Sequence, residues 1–343
     1  LAWESESNEL IYSATEGLAA SVWQVEASNG SERRITSPES LVAGAAVDRQ
    51  SGRLSYTKVT YDSNVMRIGL NGTTSDGKPP IKLLGGTTPD SFQRYSPDGK
   101  KLVHYSMRSG KQELWLSDSN GQSAMQLTND PNGAIGSANW SPDGQQVAYS
   151  IGRKKGSDLY LVKVEGGLPS LLVNDGFTNV VPFWSRDGKW IYYSSNRSGT
   201  LQIWKLPSTG GEPTQVTKQG GMDPMESSDG KFVVYTKGRQ IPGLWRIDLA
   251  TGVETLITDV HKAGYWRSWE VTKDGIFFAT CESPLRSMIE FYDFATGKVS
   301  LVTKLRGTFS VGNGNISVSP DGRWLTFLEE QLGGDIFLVE SWH

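Results

Sequence analysis

Six aspartates recur at nearly even spacing and, taken alone, resemble a ring of catalytic or metal-binding acids. They are Asp98, Asp143, Asp187, Asp229, Asp274 and Asp321. Each is followed by glycine, and the commonest context is Ser-Pro-Asp-Gly. In a type I turn serine suits the first position, proline presets φ at the second, and glycine accepts the last. The pattern therefore predicts structural hairpin turns at these aspartates.

No catalytic constellation is visible elsewhere in the sequence. There is no Gly-x-Ser-x-Gly nucleophile elbow, so a Ser-His-Asp triad has no candidate. The three histidines, His104, His261 and His343, are too scattered for a His-rich metal site, and only His261 lies in a loop that could face a ligand. Phosphate loops and dinucleotide fingerprints are also absent. We therefore expect no enzymatic activity, no cofactor and no metal.

Composition restricts the classes of partner. The chain has 343 residues and a formal net charge of −3, whereas surfaces that bind nucleic acid generally carry a basic excess, so we expect no direct nucleic-acid binding. No apolar run reaches the roughly 18–20 residues of a membrane span. The single Cys281 excludes an intramolecular disulfide, and we expect it to be a half-buried strand residue. Because the chain begins at Leu1 without Met, we expect a processed product or an excised piece of a longer protein. We also expect a monomer.

The Asp-Gly turns divide the whole chain into repeats. Counted from Asn8, a degenerate first member, the turn glycines lie 42 to 47 residues apart. They are Gly52, Gly99, Gly144, Gly188, Gly230, Gly275 and Gly322. Each interval holds four short apolar runs separated by turn residues. A period of about 40–50 residues with four strands per unit is typical of a β-propeller.

We therefore predict an all-β chain that forms one domain, an eight-bladed propeller of four-stranded antiparallel blades, with seven blades as the alternative. The blades are expected at about 1–36, 42–84, 90–128, 135–173, 179–217, 222–258, 265–303 and 312–343. The last repeat stops after its third strand. We expect its blade to lack the outer strand, or to be completed by residues upstream of Leu1, because an unpaired edge would leave the ring open.

The repeat motif resembles the TolB-type propeller repeat. The resemblance rests on Tyr95 or Trp140 before Ser-Pro-Asp-Gly, on the Leu/Val/Ile-x-Tyr that follows, and on the Gly-Gly-x-Pro-x-x-Val-Thr of residues 210–217. This repeat occurs in TolB, in the propeller domains of prolyl-oligopeptidase-type peptidases, and in bacterial regulators. It implies a propeller fold and says little about function.

The C-terminal segment 335–340 resembles the end of propellers in CadC-like winged-helix regulators. That resemblance implies an upstream DNA-binding domain, with the propeller as the sensory or protein-binding part. We therefore expect a non-enzymatic binding or sensory module of a larger bacterial protein, in a periplasmic or other extracytoplasmic compartment. The alternatives are the propeller domain of a peptidase, which would gate access to a hydrolase domain, and a periplasmic TolB-like scaffold.

Recognition is expected on the propeller face that carries the loops from second to third and from fourth to first strands. We call this the loop face. Its candidate ligand-binding residues are Arg153, Lys154, Lys155, Arg197, Asn174, Asp175, Phe177, His261, Trp266 and Arg267. A basic rim around aromatic and amide groups suits a protein segment or a small anionic ligand on the channel face. The alternative is that these are solvated loop residues without a binding role.

Overall fold

The computed structural model describes the chain except residues 1, 5–7, 17–18, 37–40, 49–50, 52, 87–88, 131–133, 239–240, 242, 259–266, 284–285, 306–314 and 341–343. The chain divides into two compact units, and each is described by itself. The first unit contains residues 1–62 and 331–343, and the second unit contains residues 63–330.

The described residues form thirty strands. In chain order they are β1 (Ala2–Glu4), β2 (Glu9–Glu16), β3 (Ala19–Glu26), β4 (Glu32–Arg34), β5 (Leu41–Asp48), β6 (Arg53–Asn71), β7 (Thr74–Ser75), β8 (Ile81–Leu84), β9 (Asp90–Tyr95), β10 (Lys101–Ser106), β11 (Glu113–Asp118), β12 (Met125–Gln126), β13 (Ala134–Trp140), β14 (Gln146–Gly152), β15 (Ser157–Lys163), β16 (Ser170–Val173), β17 (Asn179–Trp184), β18 (Trp190–Ser195), β19 (Gln202–Pro207), β20 (Thr214–Gln215), β21 (Met222–Glu226), β22 (Phe232–Thr236), β23 (Leu244–Asp248), β24 (Glu254–Thr258), β25 (Trp269–Val271), β26 (Gly275–Ser283), β27 (Arg286–Asp293), β28 (Val299–Lys304), β29 (Ser317–Val318) and β30 (Trp324–Val339).

These strands confirm the all-β prediction and the four-stranded antiparallel sheets. In the described residues, six four-stranded sheets follow chain order: β1–β4, β9–β12, β13–β16, β17–β20, β21–β24 and β25–β28. The remaining strands form a six-stranded sheet with the order β29-β30-β6-β5, in which β7 and β8 also pair with β6. The molecule thus contains about eight units of antiparallel sheet, consistent with a β-propeller.

The turn between first and second strands has the side-chain chemistry that the sequence predicts. At the turn after β13, Ser141 Oγ donates to Asp143 Oδ1 at 2.6 Å and accepts the Gln146 main-chain N–H at 2.9 Å. Asp143 Oδ1 also accepts the Gln145 N–H at 3.0 Å. The same bonds form at Ser96, Ser185, Ser227 and Ser319. The hydrogen bond from serine lowers the pKa of each partner aspartate.

Asp274 is the exception among the six turn aspartates. Its turn is two residues shorter, and Thr272, not Asp274, closes it by donating its main-chain N–H and its hydroxyl to Gly275 O at 2.8 and 3.0 Å. The seventh repeat therefore keeps a hairpin at the predicted place but uses threonine chemistry to make it.

Ser141→Ala should lower the free energy of unfolding by about 1–2 kcal/mol, because it removes the donor to Asp143 and the acceptor for Gln146 while the turn backbone stays in place. Urea denaturation followed by tryptophan fluorescence would measure the change. Ser198→Ala, at an exposed serine of a second-to-third loop, is the matched control and should have almost no effect. Equal effects at both serines would contradict the structural role of the turn.

One sheet of the second unit combines strands from both of its sequence ends. β29 pairs with β30, and β8 pairs with β6. The Leu70 N–H of β6 bonds the carbonyl of Arg323, directly before β30, at 2.8 Å. Within residues 63–330 the sheet therefore runs β29, β30, β6, β8. The first strands of six sheets contact one another in a closed cycle, from β9 through β13, β17, β21, β25 and β29 back to β9.

This arrangement corrects the prediction for the second and eighth repeats. Each repeat was expected to hold separate short strands, but residues 54–56 and 65–68 lie in one continuous strand, β6, and residues 325–327 and 336–339 lie in another, β30. The sheet that contains β29 is completed by β6 and β8, not by residues upstream of Leu1. The connection at 57–64 has no glycine or proline and is rich in β-branched residues, so it continues as strand instead of turning.

Candidate functional site

The predicted basic loop face is largely neutralised by its own carboxylates. The Arg153 guanidinium binds both carboxylate oxygens of Asp130 at 3.1 and 3.2 Å and donates from Nε to Asp158 at 3.1 Å. It also lies 5.7 Å from the centre of the Tyr160 ring. The hydrogen bonds that Arg153 donates to Asp130 raise the pKa of Arg153. Arg153 is therefore a structural ion-pair residue in this structure.

The same arrangement recurs in neighbouring repeats. Arg197 pairs with Asp175 and lies 5.0 Å from the Trp204 ring centre. Nη2 of Arg108 donates to both carboxylate oxygens of Asp90 at 3.1 Å, and Lys237 pairs with Glu254 at 2.6 Å. Each of these cations also covers an aromatic ring of the third strand. The third-strand aromatics Trp115, Trp204 and Trp245 are thus half-buried under a cation.

The loop 174–179 holds one aromatic side chain in solvent. Asp175 Oδ1 accepts the Phe177 N–H at 3.1 Å and the Asn179 side-chain amide at 2.7 Å, which fixes the loop, while the Phe177 ring stays 42% exposed. Phe177 O in turn accepts the Ser157 N–H at 2.9 Å, so this loop is joined to the loop of repeat four.

The structure places the other predicted loop-face residues in three different situations. Lys154, Lys155 and Asn174 are exposed. Arg267 is fully buried, and so it cannot belong to a solvent-facing rim. His261 and Trp266 lie outside the described residues.

The second unit has a large cavity at a different place. The cavity has a volume of about 900 Å³ and is bordered by first strands and by the turns that follow them, including Pro97, Pro142 and Pro320. We call it the central cavity. The hairpin turns lie at the opposite strand ends from the loop face, because each first strand runs from one to the other. The structure therefore moves the candidate site to the turn side.

The wall of the central cavity is aromatic, with a few polar groups. Trp140, Phe183, Trp184 and Phe277 line it, and the indole N–H of Trp184 has no hydrogen-bond partner among the described residues. Sequence reasoning missed this wall because Ser-Pro-Asp-Gly was read only as a turn. The available signal was the aromatic residue before three of the turn serines, Tyr95, Trp140 and Trp184.

The inner end of the central cavity carries a buried ion pair. Arg94 lines the cavity, is 4% exposed, and pairs through Nη1 with Glu270. The same nitrogen donates to Ile316 O at 3.2 Å. The Trp140 indole donates to Arg94 O at 3.0 Å, which ties two adjacent first strands together. Arg94 is therefore fixed by three neighbouring sheets.

Backbone strain is concentrated in the same first strands. Phe92, Val181 and Asp223 have φ of 54–59° although none is glycine, and each lies where the register of its strand shifts. Arg267, before β25, has φ 57°. Such conformations cost on the order of 1–3 kcal/mol each and are retained where the surroundings fix them, often at functional sites.

Asp223 and Arg267 are joined through main-chain atoms. Asp223 Oδ2 accepts the Arg267 main-chain N–H at 2.8 Å, and the Asp223 N–H donates to Ser194 Oγ at 3.1 Å. Burial raises the pKa of Asp223, and the charges of Arg267 and Arg94 offset part of that rise. Burial, and then the charge of Arg267, lower the pKa of Arg94.

Two further observations concern the described residues only. They contain no group of three or more His, Cys, Asp or Glu side chains placed to hold a metal ion. They also contain no helix long and apolar enough to cross a membrane. Cys281, in β26, is half-buried as predicted.

The similarity to known proteins agrees with the fold. The sequence matches the TolB beta propeller domain, PD40, over residues 49–264, which is more than half of the chain. The chain belongs to the TolB β-propeller family. It is 32% identical over 90 residues to the Tol-Pal system protein TolB of Anaeromyxobacter dehalogenans strain 2CP-C, covering 26% of this chain and 20% of that protein.

The chain is also similar to a peptidase and to a solved TolB-like structure. The uncharacterized peptidase YuxL of Bacillus subtilis is 27% identical over 126 residues, covering 36% of this TolB-family chain and 18% of the peptidase. The alignments thus span a fifth or less of the curated relatives' own length. A solved TolB-like structure from Agrobacterium tumefaciens superimposes with a TM-score of 0.64 at 21% identity, covering 79% of this chain and 99% of that one. That likeness concerns the fold alone.

Proposed function

We propose that this TolB-family chain is a non-enzymatic binding module of a larger bacterial protein, and that its partner inserts into the central cavity from the side of the hairpin turns. The observation that carries the proposal is the cavity itself. Its volume of about 900 Å³ falls within the range of about 300–1,000 Å³ that is usual for ligand sites. Its combination of aromatic walls and a few inward polar groups is also typical of such sites.

The propeller ring is part of the same proposal. The closed cycle of first strands favours a ring of six sheets within residues 63–330, with β6 and β30 closing it, over the eight or seven blades expected from the repeats. Closure by strands from both ends of the unit joins those ends in one hydrogen-bonded sheet, which stabilises a ring against opening.

The finer roles expected from the sequence remain hypotheses. The relatives above give no support for a CadC-like regulator, while the TolB relatives favour an extracytoplasmic scaffold and the YuxL similarity favours a peptidase propeller. Flanking sequence distinguishes these three roles. A winged helix upstream indicates a regulator, a nucleophile elbow downstream indicates a peptidase, and a lone signal peptide indicates a TolB-like scaffold.

A pair of surface variants tests the binding site. Ser228 is exposed and borders the central cavity, so Ser228→Trp should block its mouth. Lys154→Ser with Lys155→Ser removes the exposed charge of the loop face. Proteins captured from a cell extract by the immobilised wild-type chain should be lost with Ser228→Trp and kept with the lysine variant. The reverse result would assign binding to the loop face and reject the cavity. Capture that neither variant changes would also reject the cavity.

A further inference from the structure

Two buried arginines, Arg94 and Arg267, lie close enough for the charge of one to affect the other, and Arg94 lines the central cavity. Most of their guanidinium nitrogens make no hydrogen bond among the described residues. Arg94 is 4% exposed and Arg267 is 0% exposed. Nε and Nη2 of Arg94, and all three guanidinium nitrogens of Arg267, have no hydrogen-bond partner among the described residues. A buried charged donor without a partner is strongly destabilising, so such groups in a native fold usually serve a ligand or a solvent site.

The neighbouring carboxylates do not fill these positions. Asp223 accepts the main-chain N–H of Arg267 with its Oδ2, and the Arg267 guanidinium has no hydrogen bond to it. Glu270 contacts Arg94 only at Nη1. The indole N–H of Trp269 is also without a partner among the described residues. Burial raises the pKa of the Tyr105 hydroxyl, and the charge of nearby Arg267 offsets part of that rise. Five guanidinium nitrogens of Arg94 and Arg267 therefore lack an acceptor among the described residues.

Both guanidinium groups are held in place before any ligand arrives. Arg94 is fixed by Ile316 O and Glu270, and Arg267 lies 5.4 Å from the centre of the Phe92 ring. The left-handed backbone of Arg267 and Phe92 positions this contact. A fixed arginine fork loses little conformational entropy when it binds a planar or tetrahedral oxyanion.

We propose that the inner end of the central cavity is an oxyanion site, in which Arg94 and Arg267 bind a carboxylate or phosphate group. Arg94 belongs both to the cavity lining and to the arginine pair, so an anionic group that enters the cavity meets Arg94 first. The proposal deepens the proposed function, on which the route of access rests, by naming the chemical class of the inserted group. The bound anion replaces the Glu270 carboxylate at Arg94 and contacts Arg267 behind it.

The other arginines of the cavity are already engaged. Arg323 pairs with Asp321 at 2.6 Å and is largely exposed, and Arg186 donates from Nη2 to Glu226 O at 3.2 Å. Arg323 therefore offers a matched control. It carries the same charge, borders the same cavity, and lies at the solvent side.

Titration of the full chain with inorganic phosphate and with acetate, by calorimetry at constant ionic strength against sodium chloride, tests the site. We expect saturable binding of at least one of the two anions, and the stronger of them identifies the group. Glu270→Gln should tighten binding by about tenfold, because a competing negative charge leaves Arg94. Arg94→Gln should abolish binding, and Arg323→Gln should leave it unchanged.

If Arg94→Gln does not fold, Glu270→Gln decides the question alone. Absence of saturable binding in the wild type, or equal affinity of wild type and Glu270→Gln, would overturn the oxyanion site. This titration uses no partner protein. If the chain binds phosphate or acetate but Ser228→Trp does not reduce partner capture, the proposed function is rejected and the oxyanion site is kept. If Ser228→Trp abolishes capture but neither anion binds, the oxyanion site is rejected and the proposed function is kept.

Discussion

Leu325→Ala should lower the free energy of unfolding by about 2–5 kcal/mol, the usual cost of truncating a fully buried leucine. Leu325 is 0% exposed in β30 and packs with Ile68, Ile289, Phe291 and Phe327. Its neighbours include both the strand that closes the second unit and the adjacent sheet. The truncation therefore leaves a cavity where the two ends of the unit meet, and urea denaturation followed by fluorescence would measure its cost.

Leu338→Ala provides the matched control in the same strand. Leu338 also belongs to β30, in the part that lies in the first unit, and is 56% exposed. Its truncation should change the free energy of unfolding by less than about 0.5 kcal/mol. If the two variants lost equal stability, β30 would not close the second unit in the way described.

The free energy of unfolding should fall as pH drops from 6.5 to 4, because of His104. This side chain is 0% exposed, and burial lowers its pKa to about 4, although Asp90 at 3.7 Å opposes the shift. In the unfolded chain histidine has a pKa near 6.5, so between these values the unfolded state binds a proton that the folded state does not. The loss should be on the order of 3 kcal/mol and complete near pH 4.

His104→Asn should remove most of this dependence. Urea denaturation of both proteins between pH 4 and pH 8 would show a sloping wild-type profile and a flatter variant. The turn aspartates contribute to the pH dependence mainly below this window. Because their folded pKa values are lowered from 3.8, their contribution is complete above about pH 5 and is lost as pH falls through the folded pKa values, in wild type and variant alike. A variant with the wild-type slope would mean that His104 is not the titrating group.

Local structure could be predicted well from the sequence. The bonds of Ser141 reach only two and five residues along the chain, so residue types at fixed offsets were sufficient to predict the turn. The same holds for the all-β class and for the family, since both follow from a motif repeated at an even period. The prediction that the aspartates stabilise hairpin turns is confirmed at five of the six, where the turn serine donates to the carboxylate.

The candidate site could not be predicted in the same way. Arg153 looked like a free cation because its partner Asp130 lies 23 residues away, in a loop with no fixed offset to it. Arg267 was assigned to the loop face but is buried, because the strand register that places it inside depends on contacts with β21 and β9. A sequence shows which charged residues are present, but it does not show which of them form ion pairs.

The sequence by itself determined the hairpins, the strand chemistry and membership of the TolB propeller family, because these depend on neighbours within one repeat. Tertiary structure alone decided which strands close the second unit, where the cavity lies and which arginines it reaches. Those features depend on pairs such as Gln93 Nε2 and Asn315 O, 3.1 Å apart in space and 222 residues apart in sequence. No local sequence pattern specifies a contact between chain segments that only the folded structure brings together.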